Sequence, residues 1–142
     1  MNGNVELLNF VYQNSQMGVV TIDQIIGIAK DENFINHLKS QYDEYKEINT
    51  LARNMLNEKG YDEKGISLFE KIRTYLMINM QTLTDKSTAH ITEMLIIGSN
   101  MGVINAIKNI KKYSDAETQI VSLMQRLLMF EEKNIQELKE FL

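Results

Sequence analysis

The feature that most constrains this chain is an internal near-repeat. Gln16-Met17-Gly18-Val19-Val20 in the first third returns as Asn100-Met101-Gly102-Val103-Ile104 in the last third. Each copy lies within a long apolar stretch of helical spacing. Each stretch then runs into an acidic start signal, Asp31-Glu32 in one case and Ser114-Asp115 in the other. Two such helix pairs cannot each bury an apolar face alone, and packing on one another is the simplest way to satisfy both. The reading is therefore a single all-α domain over residues 1–142, built as two hairpins related by a pseudo-twofold axis.

Composition supports this. The 142 residues include no proline and only seven glycines, so the chain has few places to stop a helix. A chain of this length buries most of its apolar surface without staples. The absence of cysteine removes disulfides, thiolate metal sites and cysteine nucleophiles together. The net charge of -4 is spread rather than blocked, and no basic stripe offers a footprint for nucleic acid. No basic segment followed by an apolar run opens the chain, so no secretory leader is expected and a cytoplasmic setting is. Residues 91–110 are the most apolar segment, but Glu93, Asn100, Asn105 and Lys108 interrupt them. The expectation is a buried helix and no membrane span.

The first hairpin is expected over residues 4–59. Its first helix runs from about Asn4 to Lys30 with Leu8, Val11, Ile22 and Ile25 on the inner stripe. Asp31 caps the second, which runs to Lys59 and stops at Gly60, with a stripe of Phe34, Ile35, Leu38, Gln41, Tyr42, Tyr45, Ile48, Ala52 and Met55. Ser67 and Glu70 match a capping box, which opens a crossover helix over 67–83 with Phe69, Ile72, Leu76, Met80 and Leu83 buried. The second hairpin spans 88–142. Its two helices meet near Tyr113, where Ser114 and Glu117 form a second capping box.

The helix that follows Ser87 is apolar nearly all round, with Ile91, Met94, Leu95, Ile97, Met101, Ile104 and Ile107 covering more than one stripe. Either the crossover helix covers its outer side or a second subunit does, and the latter predicts a homodimer. Gly18 and Gly102 sit mid-helix, where each costs up to about 1 kcal/mol relative to alanine. Their recurrence points to close helix approach at equivalent crossings, with Met17 and Met101 beside them; the alternative is two tolerated glycines. The methionines Met77, Met80, Met94 and Met101 fall inside apolar stripes and read as core filler rather than soft-metal ligands.

Chemistry, where present, rests on a few side chains. Glu131 projects into the middle of an arc made by Ile120, Met124, Leu127, Ile135 and Leu138. There it needs a partner, a proton or a metal, unless a small rotation of the helix lets it reach solvent. His90 and Glu93 lie one turn apart and can converge on one ion, but a histidine in a first helical turn is more often a plain polar residue. Gln41 and Glu44, with His37 a turn earlier, read as structural hydrogen bonding. The rings of Tyr12, Tyr42 and Tyr45 are the one hint of a small-molecule pocket, and such hydroxyls usually meet water or backbone. No phosphate loop, nucleophile elbow or His-Glu-x-x-His motif occurs.

Two antiparallel helix pairs, a long crossover and carboxylates on facing helices together resemble the ferritin-like superfamily. The resemblance is architectural and spans the whole chain. More narrowly, the layout with its Met-Gly repeat is similar to small uncharacterised and spore-coat F-like proteins of Firmicutes, which implies a spore association as an alternative location. In metal-binding members each pair supplies a Glu and a Glu-x-x-His. Here Glu44-x-x-Glu47 and Glu131-x-x-Asn134 stand in the latter places, so both histidines are missing, and the first helix offers no inward Glu. The expectation is thus a non-enzymatic ferritin-like bundle with a degenerate metal site and no cofactor, acting through self-association or contact with an unidentified protein partner. The alternative is a site for iron, manganese or zinc built from Glu44, His90, Glu93 and Glu131.

Overall fold

A computed structural model describes residues 3–63, 74, 76, 77 and 83–142. Among these the chain is all-helical, with four long helices and no strand. They are α1 (Gly3–Ile26), α2 (Glu32–Glu58), α3 (Thr88–Lys112) and α4 (Thr118–Leu138), followed by a short 3-10 turn at Lys139–Phe141.

Local chemistry sets the ends of these helices. The Asp31 carboxylate accepts from the backbone N–H of Phe34 at 2.8 Å and so caps α2, as its sequence predicts. At the other end Gly60 takes φ +84°, a left-handed conformation that releases the chain from the helix. Ser87 caps α3 through its hydroxyl, which accepts from His90 N–H. Two expected boundaries shift. The first helix stops at Ile26 rather than Lys30, where the Ile28 N–H takes the Ile25 carbonyl three residues back and tightens the last turn. Ser114 does not open the last helix, which begins at Thr118. Its Glu117 N–H is taken by the Asn4 side chain at 2.8 Å, while the Asn4 amide donates to the Glu117 carboxylate at 3.0 Å. A side chain of α1 thus does what the predicted capping box would have done locally.

The expected crossover helix over 67–83 lies largely outside the described residues. Thr74, Leu76 and Met77 are helical, whereas Leu83 is not. Leu76 is buried and seats on Gly98, while Met77, one step round the helix, is exposed rather than core.

The directions of the helices follow from their contacts. α1 and α2 pack most extensively and run antiparallel, with the Asn49 amide donating to the Tyr12 carbonyl and to Ser15 Oγ. The packing of α3 on α4 comes next, and α1 against α4 joins the two pairs. Lys59, just past α2, meets Glu117, close to the end of α3 at Tyr113. α3 begins at the opposite end, so α2 and α3 point the same way.

The core is continuous through all four helices. Leu7, Leu8, Ile25, Phe34, Leu38, Ile48, Ile91, Ile120, Met124 and Leu127 are fully buried. Met17 and Met94 are buried, Met101 half-buried, and Ile97, Ile104 and Ile107 lie exposed on the outer side of α3.

The two repeat glycines have different neighbours. A Cβ on Gly18 would stand 2.6 Å from the Tyr45 ring, so Gly18 is where α1 lets that ring lie flat. A Cβ on Gly102 would meet the Asn14 amide at 3.4 Å, an ordinary contact. Gly18→Ala should therefore lower stability by about 1–3 kcal/mol through overpacking. Gly102→Ala should be neutral or stabilising by up to about 1 kcal/mol, from the gain in helix propensity. Urea denaturation of both variants checks this, and equal losses would contradict the distinct roles.

Candidate functional site

The site grows from a shared spacing. Along α2 the buried positions include Phe34, Leu38, Gln41, Tyr45, Ile48 and Ala52; along α4 they include Ile120, Met124, Leu127, Glu131, Asn134 and Leu138. Both series keep helical spacing, and the two helices run antiparallel, with His37 beside Glu137 and Glu47 beside Arg126; between these contacts lie Tyr45 and Glu131. They face one another across the bundle, and Tyr45 Oη donates to Glu131 Oε1 at 2.7 Å. Phe130 packs edge-on against the Tyr45 ring at 4.8 Å between centroids, and Gly18 lies beneath it. The ring is thus fixed on two sides with its hydroxyl aimed at the carboxylate.

Glu131 is only 2 % exposed, and its second oxygen, Oε2, has no hydrogen-bond partner. Burial pushes its carboxyl up to about 7, and the hydrogen bonds from Tyr45 and Ser99 offset only part of that rise. The Tyr45 phenol is itself raised well above its ordinary value, first by burial and then by the neighbouring carboxylate. Tyr45 therefore stays a hydrogen-bond donor throughout the physiological range.

Beside this pair lies a cavity of about 50 Å³. Its described polar wall is Asn14, Thr21, Gln41, Tyr45, Ser99, Glu131 and Asn134, and its apolar wall includes Met17, Ile22, Leu76, Leu95 and Leu138. Gly18 and Gly102 both line it, so the two repeats share one central space although their neighbours differ. Besides Glu131 Oε2, two more polar atoms of this wall are buried and unpartnered, Asn14 Nδ2 and Asn134 Oδ1. A space of this size admits a few water-sized groups, and the arrangement can hold a small polar species by hydrogen bonds.

The other carboxylates and histidines of the sequence reading lie elsewhere. Glu44 is half-buried and accepts from Arg126 at 2.8 Å, with Glu47 on the same guanidinium at 3.3 Å. His90 is half-buried in the first turn of α3, and Glu93 is exposed. No group of three or more His, Asp or Glu side chains close enough to hold a metal exists among the described residues, so Glu44, His90, Glu93 and Glu131 are not gathered into one centre. His37 bridges Gln41 and Glu137, the latter at 3.4 Å from its Nδ1, and stacks near Phe141. That is the structural hydrogen bonding its position suggests.

Glu131 is buried as its place in the arc predicts. The partner was missed: the Tyr45 hydroxyl donates to the Glu131 carboxylate. Both residues lie on the inner stripes of their helices, but which of those positions meet is set by the packing of α2 against α4 and is not written in either stripe. Asn14 and Asn134 were missed as well, because an asparagine in a helical stripe carries no sign of what it faces.

No protein-family model, characterised protein or solved structure matches the chain. No helix among the described residues is long and apolar enough to cross a membrane.

Because the folded state holds the Glu131 proton up to about 7 while the unfolded chain releases it near 4.5, the proton favours the folded state. That contribution is complete below the lower value and is lost as pH rises through the upper one; it amounts to roughly 3 kcal/mol. Urea denaturation at about pH 5 and about pH 8 should show this loss in the native protein and a much flatter profile in Glu131→Gln. An unchanged slope in the variant would show that Glu131 does not titrate as described.

Proposed function

We propose that this protein is a non-enzymatic helical bundle of ferritin-like layout that works by self-association. The observation that carries the proposal is the outer face of α3. Ile97, Ile104 and Ile107 are exposed there, 54 % in the case of Ile104, on a helix whose opposite side is core. Large aliphatic side chains grouped on one helix face mark a contact surface more often than isolated ones do.

The charges along that face fit a second copy of the same chain. Glu93 precedes Ile97 by four residues, and Lys108 follows Ile104 by four, all on the same side of the helix. When two copies of α3 lie antiparallel about a twofold axis, the register that sets Ile97 on Ile104 also sets Glu93 on Lys108. An isologous dimer satisfies both at once.

The direction pattern of the helices and the crossover length support the ferritin-like reading, as do carboxylates at the equivalents of its ligand positions. The reading with iron, manganese or zinc is the less favoured one. Glu44 is neutralised by Arg126, Glu93 faces outward, and Glu131 is hydrogen-bonded to Tyr45.

Light scattering coupled to size exclusion should find a dimer, and Ile104→Glu should convert it to monomer. Glu93→Lys should weaken the dimer, and Glu93→Lys combined with Lys108→Glu should restore it. A monomeric native protein, or a charge pair that fails to rescue, overturns the proposal.

A further inference from the structure

The central cavity has a polar end that its own side chains do not complete. Glu131 Oε2 and Asn134 Oδ1 are acceptors without donors, and both belong to residues at most 4 % exposed. Asn14, at 6 % exposed, presents its amide to the same space, and a half-turn of that amide exchanges its donor for an acceptor. The Tyr45 hydroxyl is engaged with Glu131 Oε1 and holds the carboxylate in place. Glu131 and Tyr45 are the titratable groups among the described residues that line the cavity: Tyr45 faces Glu131 from α2, while Asn14 and Thr21 of α1 and Ser99 of α3 are uncharged. The described lining residues therefore supply no cation, although a buried carboxylate strongly favours one.

The remaining wall is apolar. Met17, Leu95 and Leu138 surround a space of about 50 Å³, too small for a large ring but sufficient for a few heavy atoms. The chemistry that meets both ends is a compact cation with several N–H donors and a short apolar body. We propose that this cavity is a binding site for a small primary amine in its ammonium form, such as a short alkylammonium ion. Its N–H groups donate to Glu131 Oε2, Asn134 Oδ1 and the turned Asn14 amide, and its alkyl stub rests against Met17, Leu95 and Leu138.

A water molecule, with two donors and two acceptors, can bridge these atoms but brings no charge to meet ionised Glu131. A hydrated metal ion suits a centre with several carboxylates, and here Glu131 is the one carboxylate among the described lining residues. Among the described lining residues Glu131 is accompanied by amides and hydroxyls, which leaves the space open to a cationic ligand.

Because the ligand requires ionised Glu131, binding must tighten as pH rises through about 7. The amine stays protonated over that range, so affinity should increase roughly thirtyfold between about pH 5.5 and about pH 8. The test is titration of the full chain with methylammonium and ethylammonium chloride at constant ionic strength, read by side-chain amide resonances of Asn14 and Asn134 and by melting temperature. Expected are saturable shifts at both amides, a rise in melting temperature at about pH 8, and loss of both in Glu131→Gln. Tyr45→Phe, which keeps the carboxylate, should weaken binding without abolishing it. Sodium, potassium or tetramethylammonium producing the same shifts, or saturable binding that persists in Glu131→Gln, would overturn the proposal. So would an absence of any shift in the native protein, which would leave the cavity to water.

Discussion

The hydrogen bond between Tyr45 and Glu131 is the interaction on which the rest of this structure is arranged. A carboxylate at the centre of a helical bundle has no solvent to stabilise its charge, and the penalty for leaving it unpaired exceeds what neighbouring apolar contacts supply. Its position is therefore set by whatever can reach it. The phenol of Tyr45 does so from the helix opposite, and it can do so because Gly18 leaves room for the ring and Phe130 braces its edge. One bond thus draws α1, α2 and α4 into a defined register, and the cavity beside it is the space left where polar groups converge incompletely.

Around that centre the bundle is held by ordinary burial and by polar ties at its ends. Asn49 fastens α2 to the backbone of α1, and Asn4 with Lys59 gathers at Glu117 where three segments meet. Arg126 spans Glu44 and Glu47 on the surface, where solvent limits its worth. This division suits a protein whose outer face on α3 remains apolar: interior polarity fixes the helices, and the exposed isoleucines are free to serve contact.

Much of this was legible in the sequence, and the reasons differ by element. Asp31 and Gly60 announced the ends of α2 because caps depend on local chemistry alone. Glu131 stood out because a charge within an apolar arc is anomalous in any helix. The start of α4 was not legible from Ser114 and Glu117, since a side chain more than a hundred residues away, Asn4, serves Glu117 instead. The recurrence of Gly18 and Gly102 was visible, but their separate duties were not. Those duties depend on Tyr45 and Asn14, and a repeat in one strand of sequence says nothing of what lies across from it. Tyr45 itself read as an edge residue because aromatic hydroxyls usually find solvent. That it faces a carboxylate follows from the packing of α4 against α2, which no local pattern in either helix announces.

The most direct test of this account is a double-mutant cycle on the central pair. Tyr45→Phe removes the donor, Glu131→Leu removes the acceptor, and the combined variant removes both, with unfolding free energies measured by urea at about pH 8. The account predicts a coupling of at least about 1 kcal/mol between the two positions, since each side chain left alone is buried without its counterpart. Losses that simply add to within about 0.5 kcal/mol would contradict it.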